Sequence, residues 1–412
     1  MRVVHINTSA SGGAGIAARR LVQAQLKNGV LAAFLSRSLT IDFDGDEWND
    51  PFFEYTKPSF TDKLARKIGL IKVPVTALDT ATKQFNKLEK NLHYESASLP
   101  HSRYRLEEHP LVQQADVIHL HWVGQILDYP SFFENCNKPI VWTLHDMNPF
   151  MGLFHYKQDF VDNQAYAKAL DEQFIDIKKK AYAAITKGAI VSPSKWLLQE
   201  AQNSGVLGSF DIFRTIPNCI DTMVFTPKNK QKLRAKLGIE TNANVFLFSA
   251  NALAVPRKGA SLLTEALNNL DVEVTILTQG KGVLETGNPK VKIIPLGHSN
   301  EVATIIENYS IADAFLLPSL EDNLPNTMLE AMACGLPVIG FATGGIKEHI
   351  LENRNGKLVT PTTAAQLAIA IERFCVSKAI YVKKTICGYA SDTFGERKTV
   401  AAYNEVYRRI TN

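Results

Sequence analysis

The residues best suited to chemistry lie between Glu321 and Glu330, where a polar loop leads into a predicted helix. The loop follows an apolar run that ends at Pro318, and the helix is predicted from about residue 327 to 334. Glu330 directly precedes small apolar residues, and a carboxylate there needs a partner if it is buried. A ribose diol is suitable, because one carboxylate can accept hydrogen bonds from two hydroxyls. The helix start also favours a pyrophosphate, since its backbone N–H groups attract anions.

Two adjacent cations form a second candidate. Arg257 and Lys258 precede Gly259 and a helix predicted to begin near Ala260. Cations and a glycine at a helix start make a good phosphate site. An exposed basic turn without function would show the same pattern, so both interpretations stay open.

Three glycines follow the first predicted strand, at Gly12, Gly13 and Gly15. They allow a tight turn that offers N–H groups to an anion. A dinucleotide site would need an acidic residue about 20 positions further on. The sequence has Ser-Arg-Ser at 36–38 instead. Nicotinamide binding is therefore disfavoured, which leaves a phosphate- or sugar-facing loop or a purely structural turn.

Histidines close two predicted strands, within residues 119–122 (His-Leu-His-Trp) and 142–146 (Trp-Thr-Leu-His-Asp). A single histidine is more often structural, but two strand-end clusters favour a functional interpretation, above all for His145. A neighbouring His-Asp pair can orient an imidazole or bind sugar hydroxyls. Zinc is an alternative, but no HExxH pattern or cysteine partner accompanies these histidines, and we expect no metal.

Short apolar runs that alternate with helix-length segments must position these groups. The predicted strands are residues 3–7, 32–35, 117–120, 140–144, 189–191, 245–250, 272–277, 291–294, 314–317 and 338–341. Runs that are apolar on both faces are typical of parallel strands covered by helices, which indicates a doubly wound α/β architecture.

Two sets of about five strands predict two domains, with a break near residues 216–230, where prolines and polar residues interrupt the pattern. We expect a first domain at 1–220, a second at 221–395, and a C-terminal helix at 396–412 that packs back on the first. Ligands of open α/β sheets bind beyond the carboxyl ends of the strands, so two facing sheets would hold a ligand between them.

The bulk composition excludes several classes of protein. The 412 residues are 45% hydrophobic and 21% charged, which is typical of a globular protein. The chain lacks a run of about 18 apolar residues and has no signal peptide pattern, and its five scattered cysteines indicate reduced thiols. We therefore expect a cytoplasmic protein. A net charge of +4 is too small to argue for nucleic acid.

The region 42–110 breaks the alternation of strands and helices. Within it, residues 57–90 carry eight basic and three acidic side chains, a net charge of +5. Residues 61–70 can form a helix with Leu64 and Ile68 on one face. A solvated helical insertion is one interpretation, and contact with an anionic membrane surface or an anionic acceptor is the other.

Four segments carry a resemblance to a known family, namely residues 318–338, 216–225, 192–196 and 343–348. On these residues the sequence resembles glycosyltransferase family 4, whose members are retaining enzymes with the GT-B fold. Residues 142–146 resemble a subset from capsule, exopolysaccharide and O-antigen gene clusters. The resemblance covers roughly residues 1–35 and 115–410. It implies two Rossmann-like parallel-sheet domains that face each other across a cleft.

The resemblance and the motifs described above together predict roles for individual residues. Donor binding falls to Gly12, Gly13, Asn323, Leu324, Pro325, Asn326, Thr327 and Glu330. The catalytic group comprises His145, Arg257, Lys258 and Asp322. The acceptor side comprises His121, Trp122 and Asp146. No cofactor or metal is expected, and the substrates are a nucleotide-diphosphate sugar and a glycan or polyprenyl-diphosphate-linked acceptor at the inner face of the membrane.

Two positions depart from the family pattern. The paired acids of the family are usually two glutamates with seven residues between them, and here that spacing falls on Asp322. A Gly-Arg pair usually ends the strand before the Lys-Gly, whereas this sequence has Asn251 and Ala252. We expect Arg257 to replace the missing arginine. A GT-B sugar-nucleotide 2-epimerase and a catalytically weakened carbohydrate-binding relative are the alternatives.

Overall fold

A computed structural model describes residues 1–48 and 75–412. The predicted helix at 61–70 and part of the basic segment lie outside the described residues. The chain divides into two compact units. The first comprises Met1–Ser192, Leu198–Arg214 and Asn404–Asn412, and the second comprises Pro193–Leu197 and Thr215–Tyr403.

A twisted sheet forms the centre of the first unit, and its described strands have the order β4-β3-β2-β1-β5-β6-β7-β8. The strands are Arg2–Ile6 (β1), Leu31–Leu35 (β2), Thr40–Ile41 (β3), Glu47–Trp48 (β4), Val117–Leu120 (β5), Ile140–Thr143 (β6), Gly188–Ser192 (β7) and Ile212–Thr215 (β8). Strand β1 pairs in parallel with β2 and β5, so the carboxyl ends of these strands lie at one edge.

Helices cover this sheet, and several begin at capping residues that the sequence provides. The helices are Gly12–Lys27 (α1), Ala77–Glu89 (α2), Pro110–Gln114 (α3), Tyr129–Asn135 (α4), Lys157–Tyr182 (α5) and Lys195–Asn203 (α6). Thr76 and Asp79 form a capping box at α2, and Asp128 caps α4. The C-terminal helix is Glu396–Thr411 (α13).

The second unit contains a parallel sheet with the strand order β11-β10-β9-β12-β13-β14. Its strands are Val245–Ala252 (β9), Val274–Lys281 (β10), Val291–Gly297 (β11), Ala314–Leu317 (β12), Val338–Phe341 (β13) and Gly356–Val359 (β14). The helices are Lys230–Lys236 (α7), Ala260–Asn268 (α8), Val302–Ile311 (α9), Asn326–Ala333 (α10), Ala364–Ser377 (α11) and Lys383–Phe394 (α12).

Both faces of the second sheet are buried, because alternate side chains of each strand enter different apolar clusters. Leu247 and Phe315 pack into one cluster, whereas Phe246 and Leu316 pack into the other. This packing is the reason why β12 and β13 consist of consecutive apolar residues.

The predicted α/β fold class is confirmed, and all ten predicted strands occur, three with the predicted bounds (117–120, 314–317 and 338–341) and seven with one or both ends shifted. The prediction missed β3, β4, β8 and β14, which are short or lie toward the edges of the sheets. Strand β3 runs antiparallel to β2, so the first sheet is not purely parallel. Among the described residues, no helix has the length and apolar character that a membrane span requires.

Candidate functional site

A cluster of two cations and one carboxylate lies beyond the carboxyl ends of β9 and β12, which are neighbours in the second sheet. The Lys258 Nζ donates to Asp322 Oδ2 over 2.5 Å, and the Arg257 guanidinium lies 3.5 Å from the same oxygen. The sheet therefore brings together three residues that the sequence analysis selected from two separate motifs.

Electrostatics keep the carboxylate of this cluster ionised. Burial acts to raise the pKa of Asp322, but the charges of Lys258 and Arg257 and a hydrogen bond from Ser319 outweigh it, so the pKa lies below its usual value. The three side chains then carry one unit of net positive charge, held in a partly buried position. Such a group can receive an anion without first having to organise its cations.

Backbone contacts fix the two loops against each other. The Arg257 guanidinium donates to the Glu321 carbonyl, and the Leu320 N–H donates to the Arg257 carbonyl, each over 2.8 Å. Gly259 has a φ of +74°, and a Cβ at this position would lie 1.8 Å from the carbonyl oxygen of Pro318. Glycine is therefore required where the cationic loop crosses the end of β12.

A second glycine loop packs on the backbone beside Asp322. The Gly345 N–H donates to the Asp322 carbonyl over 3.0 Å. A Cβ on Gly344 would lie 2.0 Å from that carbonyl oxygen, and a Cβ on Gly345 would lie 2.0 Å from the carbonyl oxygen of Asn323. These glycines thus have a packing role that positions the polar loop.

Glu330 is buried on α10, and its Oε2 accepts a hydrogen bond from the Tyr309 hydroxyl over 2.8 Å. The helix begins after Pro325, which provides no side-chain cap. Leu324 is buried in the apolar core, whereas Thr327 lies half-buried in the first turn. The helix start is thus compatible with an anionic ligand.

Two asparagines of the polar loop are held by neighbouring residues. Asn323 Oδ1 accepts from the Ser194 hydroxyl over 2.6 Å, and Asn218 lies 3.3 Å from Asn326 Oδ1. The site prediction did not include Tyr309, Ser194 or Asn218. Only the segments that contain Ser194 and Asn218 gave a signal in the sequence.

A chain of histidines crosses the first unit along β1, β5 and the end of β6. His5 Nδ1 lies 3.0 Å from His121 Nε2, and His121 Nδ1 lies 3.0 Å from His145 Nε2. At the far end, His5 Nε2 lies 2.7 Å from Gln25 Oε1 on α1. The sequence predicts functional roles for His121 and His145, but it gives no signal for His5 and Gln25.

His119 belongs to a separate branch beside this chain. Its Nδ1 lies 2.7 Å from the Tyr407 hydroxyl on α13, and its Nε2 lies 2.7 Å from Thr143 Oγ1. The Gln25 side-chain amide donates to Tyr407 over 2.9 Å and so connects the branch to the chain.

These four imidazoles are neutral at physiological pH. Burial lowers the pKa of His5 to about 3 and that of His145 to about 4, against the charge of Asp146 beside His145. Burial and the neighbouring histidines lower the pKa of His119 and His121 well below the usual value. The cluster therefore provides hydrogen-bonding groups without positive charge.

The same histidines raise the question of a metal. One nitrogen each from His5, His119 and His121 lies within 4.8 Å of the others, and imidazole is a good ligand for zinc. However, each of the six ring nitrogens has a side-chain partner at 2.7–3.0 Å. The rings of His119 and His121 also stack at a centroid distance of 4.3 Å instead of converging on one point. The expectation of no metal stays a prediction.

Asp146 orients Trp122 and His155. Its Oδ2 accepts hydrogen bonds from Trp122 Nε1 and His155 Nδ1, each over 2.6 Å, and its Oδ1 accepts from the Asn148 N–H. Burial acts to raise the pKa of Asp146, but these partners outweigh it and hold the pKa below its usual value. The acceptor-side role of Trp122 and Asp146 stays a prediction.

Gly12 and Gly13 are the first residues of α1, which begins after the five-residue loop that follows β1. Gly12 has a φ of +76°, and space is open where either glycine would carry a Cβ. The described structure thus contains two groups of candidate residues. A charged group occupies the second unit, and a neutral group occupies the first.

The charged group lies in a region that matches a known protein family. Residues 243–376, which contain Arg257, Lys258, Asp322 and Glu330, match the family described as "Glycosyl transferases group 1". The chain is 25% identical over 278 residues to D-inositol 3-phosphate glycosyltransferase of Xylanimonas cellulosilytica, a match that covers 62% of each protein. The chain thus spans about three fifths of the length of that relative.

Solved structures share the architecture over the whole chain. Sucrose-phosphate synthase of Thermosynechococcus elongatus has a TM-score of 0.68 at 17% identity and covers 99% of this chain and 98% of its own. Anabaena HepE in complex with UDP-glucose has a TM-score of 0.62 at 17% identity, with coverage of 99% and 100%. The fold is GT-B. At these identities the GT-B likeness establishes the fold and not the reaction.

Proposed function

We propose that this protein is a retaining glycosyltransferase that moves a sugar from a nucleotide-diphosphate sugar to a glycan or lipid-linked glycan in bacterial surface polysaccharide biosynthesis. One observation carries the proposal. Lys258 and Arg257 converge on Asp322 beyond the ends of two adjacent strands, within the region that matches the glycosyl transferase family. A preorganised cationic group is what a departing diphosphate requires.

Each residue near this group has a proposed role. The Glu330 carboxylate would accept hydrogen bonds from the ribose hydroxyls, and the start of α10 would bind the diphosphate. Lys258 and Arg257 would neutralise the charge that develops on the leaving phosphate. No metal is needed if these cations supply the positive charge.

The reaction requires no strong protein base in this proposal. The oxygen of the departing phosphate takes the proton of the acceptor hydroxyl. The donor sugar passes through an oxocarbenium-like state, and the acceptor attacks it on the face from which the phosphate departs. His145 would contact the transferred sugar and the acceptor, as the resemblance implies. Its neutral state suits a hydrogen-bonding role, because it adds no charge next to the developing oxocarbenium ion.

The acceptor is proposed from charge and resemblance. Residues 57–90, with a net charge of +5, would contact an anionic membrane surface or an acceptor diphosphate. A small anionic acceptor is a second candidate, because the curated relative is named for inositol 3-phosphate. Binding to anionic vesicles that persists in 0.5 M salt, where the Debye length is about 4 Å, would contradict electrostatic docking.

A ligand screen tests the proposed function. Thermal unfolding is measured with UDP, GDP and ADP and with their sugars, since a ligand that binds the folded state raises the midpoint. We expect one nucleotide series to stabilise the wild type, and Glu330→Gln to lose most of that shift. Stabilisation by none of the three series would contradict the proposal.

A product assay then separates the alternatives. Incubation of the stabilising donor with lipid-linked glycans should release nucleoside diphosphate and yield a new glycoside. Conversion of the donor alone into a sugar epimer would instead identify an epimerase. Binding without release of nucleotide would identify an inactive carbohydrate-binding protein.

A further inference from the structure

We propose that Gln25, His5 and His121 are positioning residues that fix the tautomer of His145, so that its Nδ1 presents a lone pair to a substrate hydroxyl. The contact with substrate rests on the proposed function. The tautomer itself does not, because the described first unit alone determines it.

The Gln25 amide offers a hydrogen-bond donor, Nε2, and an acceptor, Oε1. Its Nε2 donates to the Tyr407 hydroxyl, which leaves Oε1 facing His5 Nε2 at 2.7 Å. An amide oxygen can only accept, so His5 carries its proton on Nε2. Because His5 is neutral, its Nδ1 is an acceptor.

The assignment of donor and acceptor nitrogens on His5 determines the assignment on the next two rings. His121 Nε2 lies 3.0 Å from the accepting His5 Nδ1 and must therefore donate, which makes His121 Nδ1 an acceptor. His145 Nε2 lies 3.0 Å from that nitrogen and must donate in turn. A neutral His145 then has its lone pair on Nδ1. One amide thus sets the proton positions on three rings.

His145 is the accessible end of this chain. His5, His121 and Gln25 are at most 2% exposed, whereas His145 is half-buried. Within the part of the chain that the structure describes, no hydrogen bond involves His145 Nδ1. Asp146 does not supply one, because its two oxygens accept from Trp122, His155 and Asn148.

His145 lies at a position in the sheet where ligands bind in this class of fold. His145 follows β6 by two residues, at the carboxyl edge where open α/β sheets bind ligands. An acceptor nitrogen there can receive a hydrogen bond from a sugar hydroxyl, whereas the other tautomer would present a donor. A buried relay that ends at such an edge selects between these two options before substrate arrives.

The branch through His119 provides a matched control. Thr143 Oγ1 lies 2.7 Å from His119 Nε2, and Thr143 is 1% exposed. Thr143→Val removes one buried hydrogen-bonding group beside the chain and leaves both the Gln25–Tyr407 hydrogen bond and the chain from Gln25 Oε1 to His145 in place.

The test measures ring nitrogen chemical shifts in protein labelled with ¹⁵N-histidine, without ligand. We expect His145 with a protonated Nε2 and an unprotonated Nδ1 at pH 7. Gln25→Met, which has a similar size but no acceptor, should give a mixture of both His145 tautomers. Thr143→Val should keep the wild-type tautomer. A wild-type His145 protonated on Nδ1 would overturn the proposal, and this result does not depend on any variant that fails to fold.

Kinetics with the donor that the ligand screen selects give a second readout. Gln25→Met should lower kcat by about fivefold, the effect of one neutral hydrogen bond, with little change in donor KM. An unchanged kcat alongside a mixed tautomer would overturn the substrate contact. Thermal stabilisation by UDP, GDP or ADP tests the donor site separately, so a failure of the proposed function is distinguishable from a failure of this inference.

Discussion

The two units place different chemistry at the ends of their sheets. The second unit holds Arg257, Lys258 and Asp322, which interact through full charges at 2.5 to 3.5 Å. The first unit holds His5, His121 and His145, which are neutral and interact through directed hydrogen bonds. Charge is useful where a diphosphate departs, and orientation is useful where hydroxyl groups must be held. The contrast explains why one chain buries both ionised and uncharged polar groups.

Removal of a cation from the charged group should have the largest effect. Lys258→Met removes one of the two cations beside Asp322 and so removes positive charge from the proposed diphosphate site. We expect turnover of the donor to fall by about 10² to 10³, which is typical for loss of one preorganised electrostatic contact. Lys292→Met, a change at an exposed lysine of the same unit, is the control. Equal turnover of the two variants would contradict a role in charge stabilisation.

The backbone that supports this group can be tested without any substrate. Gly259→Ala places a methyl group 1.8 Å from the Pro318 carbonyl oxygen at a φ of +74°. We expect the free energy of unfolding to fall by about 3 kcal/mol, because the loop must shift. Chemical denaturation measures the change. Gly388→Ala is the control, since open space surrounds this glycine on α12 and alanine favours helix. If Gly259→Ala leaves the free energy of unfolding unchanged, the loop at Gly259 does not pass closely over the Pro318 carbonyl.

Substitution of Arg257 tests whether its charge replaces that of the arginine which the family pattern has at position 252. Arg257→Ala should lose most of the turnover, about 10-fold or more, if this side chain supplies the charge that the family pattern places at Ala252. The guanidinium also binds the Glu321 carbonyl, so the unfolding midpoint must be measured in parallel. Near-normal turnover of a folded variant would exclude the replacement.

The buried neutral histidines should make the free energy of unfolding depend on pH. The pKa of His5 is about 3 and that of His145 about 4 in the folded state, below the value of 6.5 that applies on unfolding. Between pH 6.5 and 4 these histidines bind more protons in the unfolded chain than in the folded protein. The free energy of unfolding is therefore highest above pH 6.5 and decreases as the pH falls toward 4. Each histidine contributes a slope of up to about 1.4 kcal/mol per pH unit.

Urea denaturation at pH 5 and pH 7 measures that slope. His5→Gln should reduce the loss of stability on acidification, whereas a change at the exposed His298 serves as the control. If His5→Gln keeps the wild-type slope, His5 is not held neutral by burial, and the contrast between a charged and a neutral group fails at that residue.

The charged group was more predictable from sequence than the neutral one. The motifs around Lys258 and Glu330 are local, and parallel strands bring their ends to one edge, so the residues that meet could be selected in advance. The histidine chain depends on distant positions. Gln25 lies on α1 and Tyr407 on α13, and both look like ordinary helix residues in the sequence.

Packing details also lay beyond the sequence. The hydrogen bond from Tyr309 to Glu330 joins α9 to α10, and no spacing rule connects those residues. The pairing of Asp146 with His155 shows a similar limit, because the adjacent His145 looked like the natural partner. Short edge strands such as Thr40–Ile41 have too few residues to show an alternating pattern.

The configuration of the product tests the central claim most directly. The donor that stabilises the protein is incubated with lipid-linked glycans, and proton NMR identifies the anomer of the new glycosidic bond. Retaining transfer predicts a glycoside with the anomeric configuration of the donor, formed by the wild type and about 10² to 10³ times more slowly by Lys258→Met. An inverted glycoside, or an epimerised donor with no glycoside, would contradict it.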